Sequence, residues 1–165
     1  MSKTTILNHN DIAHKIKRIA YQIYESNVEE TEIVVAGIAD NGYILAEKIA
    51  NELEKIASIK IVLCKVKMNK SNVFEPLIVS LEESIYRGKS LILVDDVLHT
   101  GSVLMYAVKH FLNVPLKQIK TAVLVDRNHK KFPIKVDFKG ISLSTTFQNR
   151  VEVVFSSEKN EAYLL

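Results

Sequence analysis

The segment that most constrains the fold is an apolar run that ends in two adjacent acids. Residues 91–94 are all apolar, and Asp95 and Asp96 follow them directly. A short, continuous run of branched apolar side chains predicts a strand that is buried on both faces. Thr100 and Gly101 come soon after and precede an apolar-periodic segment. This order predicts a buried strand, a short loop and then a helix.

The rest of the chain predicts further alternation of helices and strands. Isoleucines spaced by three and four residues predict an amphipathic helix over residues 11–24, with Asn10 as its N-cap. A continuous apolar run predicts a buried strand at residues 33–36, and a second helix follows from about Tyr43. The other predicted elements are strands at residues 59–66, 77–81, 90–95 and 121–126, a helix from Gly101 that ends before Pro115, and weaker strands at residues 134–138 and 150–155.

Strands that alternate with helices pair in parallel through right-handed crossovers. We therefore predict a single doubly wound α/β domain over residues 1–165, with a mainly parallel central sheet. The length fits one domain of ordinary size. Ligands of such sheets bind at the carboxyl ends of the strands. The predicted site segments are residues 37–42, 95–102 and 126–129.

Composition excludes several classes of protein. The one cysteine, Cys64, cannot form an internal disulfide, and the sequence has no zinc-ligand spacing. No apolar run approaches the roughly 20 residues that a membrane helix needs. The first ten residues are polar and lack the apolar core of a signal peptide. We expect a cytoplasmic protein that does not contact a membrane.

The residues around Gly101 indicate a site for a phosphorylated sugar. Asp95 and Asp96 can accept hydrogen bonds from sugar hydroxyls or help to hold a divalent metal. Backbone N–H groups of residues 98–102 and of the helix start can bind a phosphate, and Gly101 permits close approach of the backbone. In the alternative interpretation, the two acids only end a strand and cap the next turn.

At these residues the sequence resembles the type I phosphoribosyltransferases, whose signature is an apolar strand, two acids and a Thr-Gly loop. The resemblance implies a Mg²⁺-dependent enzyme that transfers ribose 5-phosphate from phosphoribosyl pyrophosphate to a nucleobase. It implies catalytic roles for Asp95, Asp96 and His99, with both acids also at the metal. The residues it implies for substrate binding are Leu98, Thr100, Gly101, Ser102, Ala39, Asp40, Asn41, Gly42, Asp126 and Arg127. His99 is equally compatible with an exposed loop side chain.

Residues 123–140 narrow the match to the uracil phosphoribosyltransferases that also attenuate a pyrimidine operon. This similarity implies a pyrimidine base such as uracil and an assembly, taken here as a homodimer. It also raises RNA as a partner, along a basic strip formed by Arg127, Lys130, Lys131, Lys135 and Lys139. A solvated face explains such a strip equally well, and the net charge is only +3. Specific RNA binding is therefore not favoured.

Three departures from the family pattern predict that the chain binds ligand better than it turns substrate over. The pyrophosphate loop has Ala39, Asp40 and Asn41 where relatives carry basic residues. Val103 replaces a hydroxyl side chain that would donate to the phosphate. The lid expected near residues 67–74 is short, and Lys67, Lys70 and Ser71 are equal candidates for its active residue.

These departures leave two functions open. One is an active phosphoribosyltransferase. The other is a catalytically weak or inactive regulator that senses a nucleotide or phosphoribosyl pyrophosphate and binds RNA. A phospho-receiver signalling domain also pairs acids at a sheet edge, but its acid pair follows the first strand. Here the pair comes late in the chain and leads directly into Thr-Gly, so this third class is disfavoured.

Overall fold

The computed structural model describes residues 2–144, 146 and 148–165. Their secondary-structure elements are, in chain order, β1 (Thr4–Leu7), α1 (His9–Glu25), β2 (Glu32–Ile38), α2 (Asn41–Ile56), β3 (Lys60–Lys67), β4 (Ile78–Val79), α3 (Glu83–Tyr86), β5 (Ser90–Leu98), α4 (Ser102–Phe111), β6 (Gln118–Asp126), β7 (Phe138–Ser142), β8 (Val151–Phe155) and β9 (Asn160–Leu164). No helix in this part of the chain is long and apolar enough to cross a membrane.

The larger sheet has six strands in the order β4-β3-β2-β5-β6-β7. Strands β3, β2, β5, β6 and β7 pair in parallel, and β4 runs antiparallel at the edge. The central strands are buried on both faces, as continuous apolar runs predict. The predicted α/β class with a mainly parallel sheet is confirmed.

Helix α1 begins earlier than the sequence analysis predicts, and its N-cap is Asn8 rather than Asn10. The Asn8 side chain accepts a hydrogen bond from the Asp11 N–H at 2.9 Å, and the Asp11 carboxylate accepts from the Asn8 N–H at 2.9 Å. This reciprocal capping box satisfies two helix-end donors, which fixes the start of the helix. The buried stripe of α1 contains Ile12, Ile16, Ile19 and Ile23, as predicted.

The weak strand predicted at residues 134–138 is wrong, because β7 starts only at Phe138. Before that point, Thr121 of β6 holds the chain through side-chain bonds. Its N–H donates to the Asp137 carboxylate at 3.0 Å, and its hydroxyl donates to the Lys135 carbonyl. The regular ladder begins with Ala122 opposite Phe138. Hydrogen bonding by side chains therefore replaces strand pairing over residues 134–137.

A smaller antiparallel sheet, in the order β1-β9-β8, joins the two ends of the described chain. Its β1 and β9, like the short helix α3, were not predicted from the sequence. Leu7, Val151, Val153 and Ala162 of this sheet share a buried cluster with residues of α1 and α2. That residues 1–165 form one domain stays a prediction.

The carboxyl ends of β2, β5 and β6 lie side by side, because these strands are parallel neighbours. Strand β5 runs three residues further than the predicted end at Asp95, with Leu98 opposite Asp126. Asp95 and Asp96 are thus part of the strand and do not follow it. This rigid setting brings the predicted site segments to one edge of the sheet.

Candidate active site

The two acids of β5 are held by a lysine from the loop after β3. Asp95 is buried, with 3% of its surface exposed, and its Oδ1 lies 2.9 Å from the Lys70 ammonium. The same ammonium lies 3.9 Å from Oδ1 of Asp96. Asn41 donates its amide to Oδ2 of Asp96 at 3.1 Å and to the Val153 carbonyl at 2.9 Å. The acid pair is therefore fixed by two other elements of the fold.

Burial raises the pKa of Asp95 to about 7, and the neighbouring Asp96 carboxylate adds to this effect. The Lys70 ammonium opposes it by favouring the ionised form. Burial by itself would lower the pKa of Lys70, but the carboxylates of Asp95, Asp96 and Asp40 raise it overall. Lys70 is therefore protonated across the neutral range, while Asp95 changes its charge near neutrality.

Beside the acids, a cavity of about 490 Å³ opens between the end of β5 and the start of α4. The N–H groups in the first turn of α4 have no acceptor within the helix, so this end of the cavity suits an anion. The Thr100 hydroxyl donates to the Ser102 hydroxyl at 3.0 Å and accepts from the Ser102 N–H at 3.3 Å. The lining residues are Lys70, Asp95, Asp96, Val97, Leu98, His99, Thr100, Gly101, Ser102, Val103, Leu104 and Arg150.

Gly101 precedes α4 in a left-handed conformation, with φ of +90°. A Cβ atom at this position would lie 2.6 Å from Cγ2 of Ile134 and 3.5 Å from the Phe132 carbonyl oxygen. The segment behind Gly101 is held close because the Thr100 carbonyl accepts from the N–H groups of residues 131 and 132. Backbone conformation and packing therefore require glycine here, a different reason from the phosphate approach that the sequence analysis predicts.

His99 also lines the cavity, with Nδ1 2.9 Å from Nη1 of Arg127. A guanidinium group can only donate, so Nδ1 accepts and the ring proton is on Nε2. Partial removal of the ring from water lowers the pKa of His99, and the positive charge of Arg127 lowers it further. Arg127 also donates to the carbonyls of Thr146 and Asn149. The geometry favours a neutral His99 that offers an N–H donor.

The predicted pyrophosphate loop borders the acids but does not line the cavity. The Ala39 N–H donates to the Val66 carbonyl at 2.8 Å, and the peptide bond from Ala39 to Asp40 is cis. Asp40 is exposed. A Cβ on Gly42 would lie 2.9 Å from Oδ1 of Asp95, so Gly42 allows helix α2 to pack against the acids.

Asp126 and Arg127 also lie beside the cavity rather than in its wall. Asp126 is buried, accepts from the Asn128 N–H at 3.0 Å, and lies 3.6 Å from the Lys139 ammonium. The Arg127 N–H donates to the Leu98 carbonyl at 3.3 Å, which joins this edge to the end of β5. The structure therefore places Arg127 next to His99.

Sequence reasoning missed Arg150 and left Lys70 as one of three candidates. Both line the cavity. A basic residue in a polar loop just beyond the carboxyl end of a parallel strand is a signal that could have selected Lys70. Arg150 directly precedes β8, and its backbone pairs with Leu165. Its position depends on the small antiparallel sheet, which the sequence analysis did not predict.

The donor set does not match a divalent metal as it is arranged here. Asp95 and Asp96 are the residues that would hold Mg²⁺, but the Lys70 ammonium already contacts both. Within the described ranges, no group of three or more His, Cys, Asp or Glu side chains is arranged to hold a metal ion. Mg²⁺ is usually held by one or two carboxylates together with water and phosphate oxygens, but here the Lys70 ammonium takes that position beside Asp95 and Asp96.

The phosphoribosyl transferase domain family matches residues 2–157, so the chain belongs to this family. Solved structures agree on the fold. The hypoxanthine phosphoribosyltransferase of Trypanosoma cruzi has a TM-score of 0.76 at 14% identity, covering 87% of this chain and 83% of that one. A hypoxanthine-guanine phosphoribosyltransferase (hpt-2) of Bacillus anthracis has a TM-score of 0.70 at 20% identity, covering 87% and 84%.

Sequence relatives narrow the likeness within the family to the bifunctional protein PyrR. The protein of that name from Clostridium acetobutylicum is 34% identical over 160 residues, covering 92% of this chain and 89% of the relative. The one from Leuconostoc citreum is 29% identical over 164 residues, covering 93% and 92%. The predicted family and the likeness to PyrR are confirmed, as is the type I phosphoribosyltransferase class.

Proposed function

We propose that this protein transfers ribose 5-phosphate from phosphoribosyl pyrophosphate to a ring nitrogen of a pyrimidine base, with uracil as the expected base. The observation that carries this proposal is the shared cavity, which is lined by the acid pair and by the phosphate loop (residues 98–102). A sugar and its phosphate need these two chemistries next to each other. The pyrimidine follows from the similarity of residues 123–140 to the pyrimidine branch of the family.

In this proposal the 5-phosphate binds the N–H groups at the start of α4 and the hydroxyls of Thr100 and Ser102. The ribose hydroxyls donate to Asp95 and Asp96, and Leu98 and Gly101 shape the loop around the sugar. The burial of Asp95 supports this role, because a hydrogen bond to a buried carboxylate is stronger than one in water. The loop of Ala39, Asp40, Asn41 and Gly42 bounds the side where pyrophosphate leaves.

The reaction breaks the bond from C1′ of ribose to the pyrophosphate oxygen, and the electron pair leaves with pyrophosphate. The base nitrogen forms the new bond to C1′ and releases its proton to solvent. Lys70 and Arg150 offset the negative charge that grows on the leaving group. His99 donates its Nε2–H to a carbonyl oxygen of the base, while Asp126 and Arg127 bound the base side. His99 thus positions the base and does not accept a proton.

Mg²⁺ enters no step of this proposal, because Lys70 already holds the two acids. Asp95 and Asp96 would be its ligands if it bound, and it would then neutralise pyrophosphate charge. The homodimer and the cytoplasmic location stay predictions.

A second function, a weakly active or inactive sensor of phosphoribosyl ligands, is supported by two observations. The exposed carboxylate of Asp40 stands on the pyrophosphate side, where it opposes a polyanion. Val103 lines the phosphate end of the cavity without a donor. The Asp40 carboxylate weakens turnover more than it weakens binding of a nucleoside monophosphate, which carries no pyrophosphate.

Steady-state and single-turnover assays with uracil, hypoxanthine and guanine test the two functions. Formation of uridine monophosphate at about 1–1000 per second supports the enzyme. Tight calorimetric binding of uridine monophosphate with turnover far below this range supports the sensor. Absence of binding to both phosphoribosyl pyrophosphate and uridine monophosphate contradicts the proposed site.

A further inference from the structure

We propose that Lys70 is the resident cation of the ribose site and that phosphoribosyl pyrophosphate binds this protein without Mg²⁺. This inference rests on the proposed function, since it concerns the same cavity. A divalent ion in such a site would neutralise the acid pair and bridge it to the sugar and the pyrophosphate. The Lys70 ammonium already makes the first of these contacts, at 2.9 Å from Asp95 and 3.9 Å from Asp96.

The lysine is also placed to make the second contact. Its side chain keeps 38% of its surface exposed, and it lines the cavity together with the acids. An ammonium has three N–H donors. One of them donates to Asp95, and the others can point to an oxygen of the ligand.

The loop that carries Lys70 is built to hold it there. The side-chain Oδ1 of Asn69 accepts from the N–H groups of Ser71 and Asn72, at 2.9 and 3.3 Å, so the side chain of Asn69 closes the turn around Lys70. Further along, the ring of Phe74 packs edge-on against Tyr106 of α4, with centroids 5.4 Å apart. A closed turn and a ring contact with α4 thus hold the loop in place, which keeps the Lys70 ammonium beside the acids.

The charges around the cavity make a resident cation necessary. Asp40, Asp95 and Asp96 all act on Lys70 from the sheet edge. Without the lysine, Arg150 would be the one permanent cation of the described cavity wall against two acids. A pyrophosphate would then face a net negative surface, and the missing basic residues of the 39–41 loop could not compensate. Lys70, which comes from a different loop, brings the wall to two cations against two acids.

Calorimetric titration with phosphoribosyl pyrophosphate, in EDTA and in excess MgCl₂, tests this role. We expect the affinity of the natural protein to differ by less than about threefold between the two conditions. Lys70→Met should lose at least about tenfold in EDTA, because a charge-assisted contact is gone, and MgCl₂ should restore most of it. Lys67→Met, which removes an exposed lysine just before the same loop, should behave like the natural protein.

A second measurement needs no sugar ligand. MgCl₂ alone should raise the melting temperature of Lys70→Met, since its acid pair is then open, and should leave the natural protein unchanged. Three results would overturn the inference: a tenfold loss for the natural protein in EDTA, an unchanged affinity of Lys70→Met in EDTA, or a loss that MgCl₂ does not restore. If phosphoribosyl pyrophosphate binds in neither condition, the proposed function fails as well.

Discussion

The phosphate side and the pyrophosphate side of the proposed site are built from different materials. The phosphate side, residues 98–102, uses backbone N–H groups, a left-handed glycine and two small hydroxyl side chains. The pyrophosphate side, residues 39–42, has no basic side chain and presents the exposed carboxylate of Asp40. Its positive charge comes instead from Lys70, which belongs to another loop.

This difference shows which parts of a binding site must stay at one place in the chain and which can be supplied by another segment. A backbone site depends on strand, turn and helix geometry, so it stays where the fold places it. A side-chain charge needs only to reach the right point in space, and a lysine on its flexible stem can reach it from several loops. This explains why Thr100 and Gly101 can keep the expected family pattern while the charge expected at residues 39–41 comes from Lys70.

The largest effect is expected for Gly101→Ala, which tests whether the backbone of residues 98–102 binds the phosphate. A Cβ would lie 2.6 Å from Ile134 at a φ of +90°, so the phosphate loop must shift. We expect uridine monophosphate affinity to fall by about a hundredfold in calorimetry. Gly88→Ala is the matched control, because Gly88 has a φ of +72° and no atom within 4 Å of the added Cβ. Equal affinities of the two variants would contradict the assignment of the loop.

Replacing both acids, Asp95→Asn with Asp96→Asn, should weaken uridine monophosphate binding by about thirtyfold, because the ribose hydroxyls lose charged acceptors. Inorganic phosphate carries no hydroxyl of this kind, so its affinity should stay the same or rise as nearby negative charge disappears. Calorimetry with both ligands separates the effects. A parallel loss for both ligands would mean that the acids only support the fold.

Asp95→Asn alone should stabilise the protein at pH 8 by on the order of 2 kcal/mol. The pKa of Asp95 is raised to about 7 by burial, whereas the same carboxyl group has a pKa near 4 in the unfolded chain. Between these values the folded state binds a proton that the unfolded state lacks. Stability of the natural protein therefore falls as pH rises from 4 to 7, and stays level above 7.

Urea unfolding from pH 4 to 8 checks this sign. The advantage of the asparagine variant should be largest above pH 7 and vanish near pH 4. A variant that is less stable than the natural protein at pH 8 would show that the ion pair with Lys70 outweighs the burial of the charge.

Asp40→Lys should move the pyrophosphate side back towards the family pattern. Asp40 is exposed and makes no side-chain cap to α2, so the change should not disturb the fold. We expect the KM for phosphoribosyl pyrophosphate to fall by about fivefold, as expected for a partly screened charge. Glu29→Lys makes the same charge change on an exposed residue outside the cavity wall and is the control. A similar fall in the control would indicate a general charge effect.

The smallest effect is expected for RNA. In the basic strip, Lys130 donates to the Ile134 carbonyl, while Lys135 and Lys139 pair with Asp137 and Asp126. These contacts leave less charge for phosphates, so binding should be weak and should fall steeply with salt. In a gel-shift titration, the affinities for a pyrimidine-operon leader hairpin and for a scrambled hairpin should differ by less than about threefold. Tight binding to the leader alone at physiological salt would make the regulator the main function.

Sequence patterns predicted the parallel core because its signals are local. The apolar runs of β2, β5 and β6, and the isoleucine stripe of α1, each carry their own periodicity. The acid pair and Thr-Gly are also contiguous in the chain, so their common site could be predicted. The role of each site residue stays a prediction.

What the sequence did not predict depends on contacts between distant segments. Strands β1 and β9 are short and gain their stability by pairing with each other, and β7 is displaced by the side-chain bonds of Thr121. Lys70 meets Asp95 only because the loop after β3 turns back over the sheet edge. No local sequence pattern predicts this contact. The three carboxylates at residues 40, 95 and 96 nevertheless imply that a positive side chain must come from another segment.

Helix α1 also holds β7, the last strand at one edge of the larger sheet. The Arg18 guanidinium donates to the carbonyls of Lys139 and Gly140, at 3.0 and 2.7 Å. Gly140 itself has no room for a side chain, since a Cβ would lie 2.4 Å from the Leu124 carbonyl oxygen. Chimeras that exchange the last third of this chain with that of a relative would therefore carry a hidden dependence on the first helix. Because both acceptors are backbone carbonyls, the residue that such a chimera must keep is Arg18, and the side chains of the exchanged strand matter less.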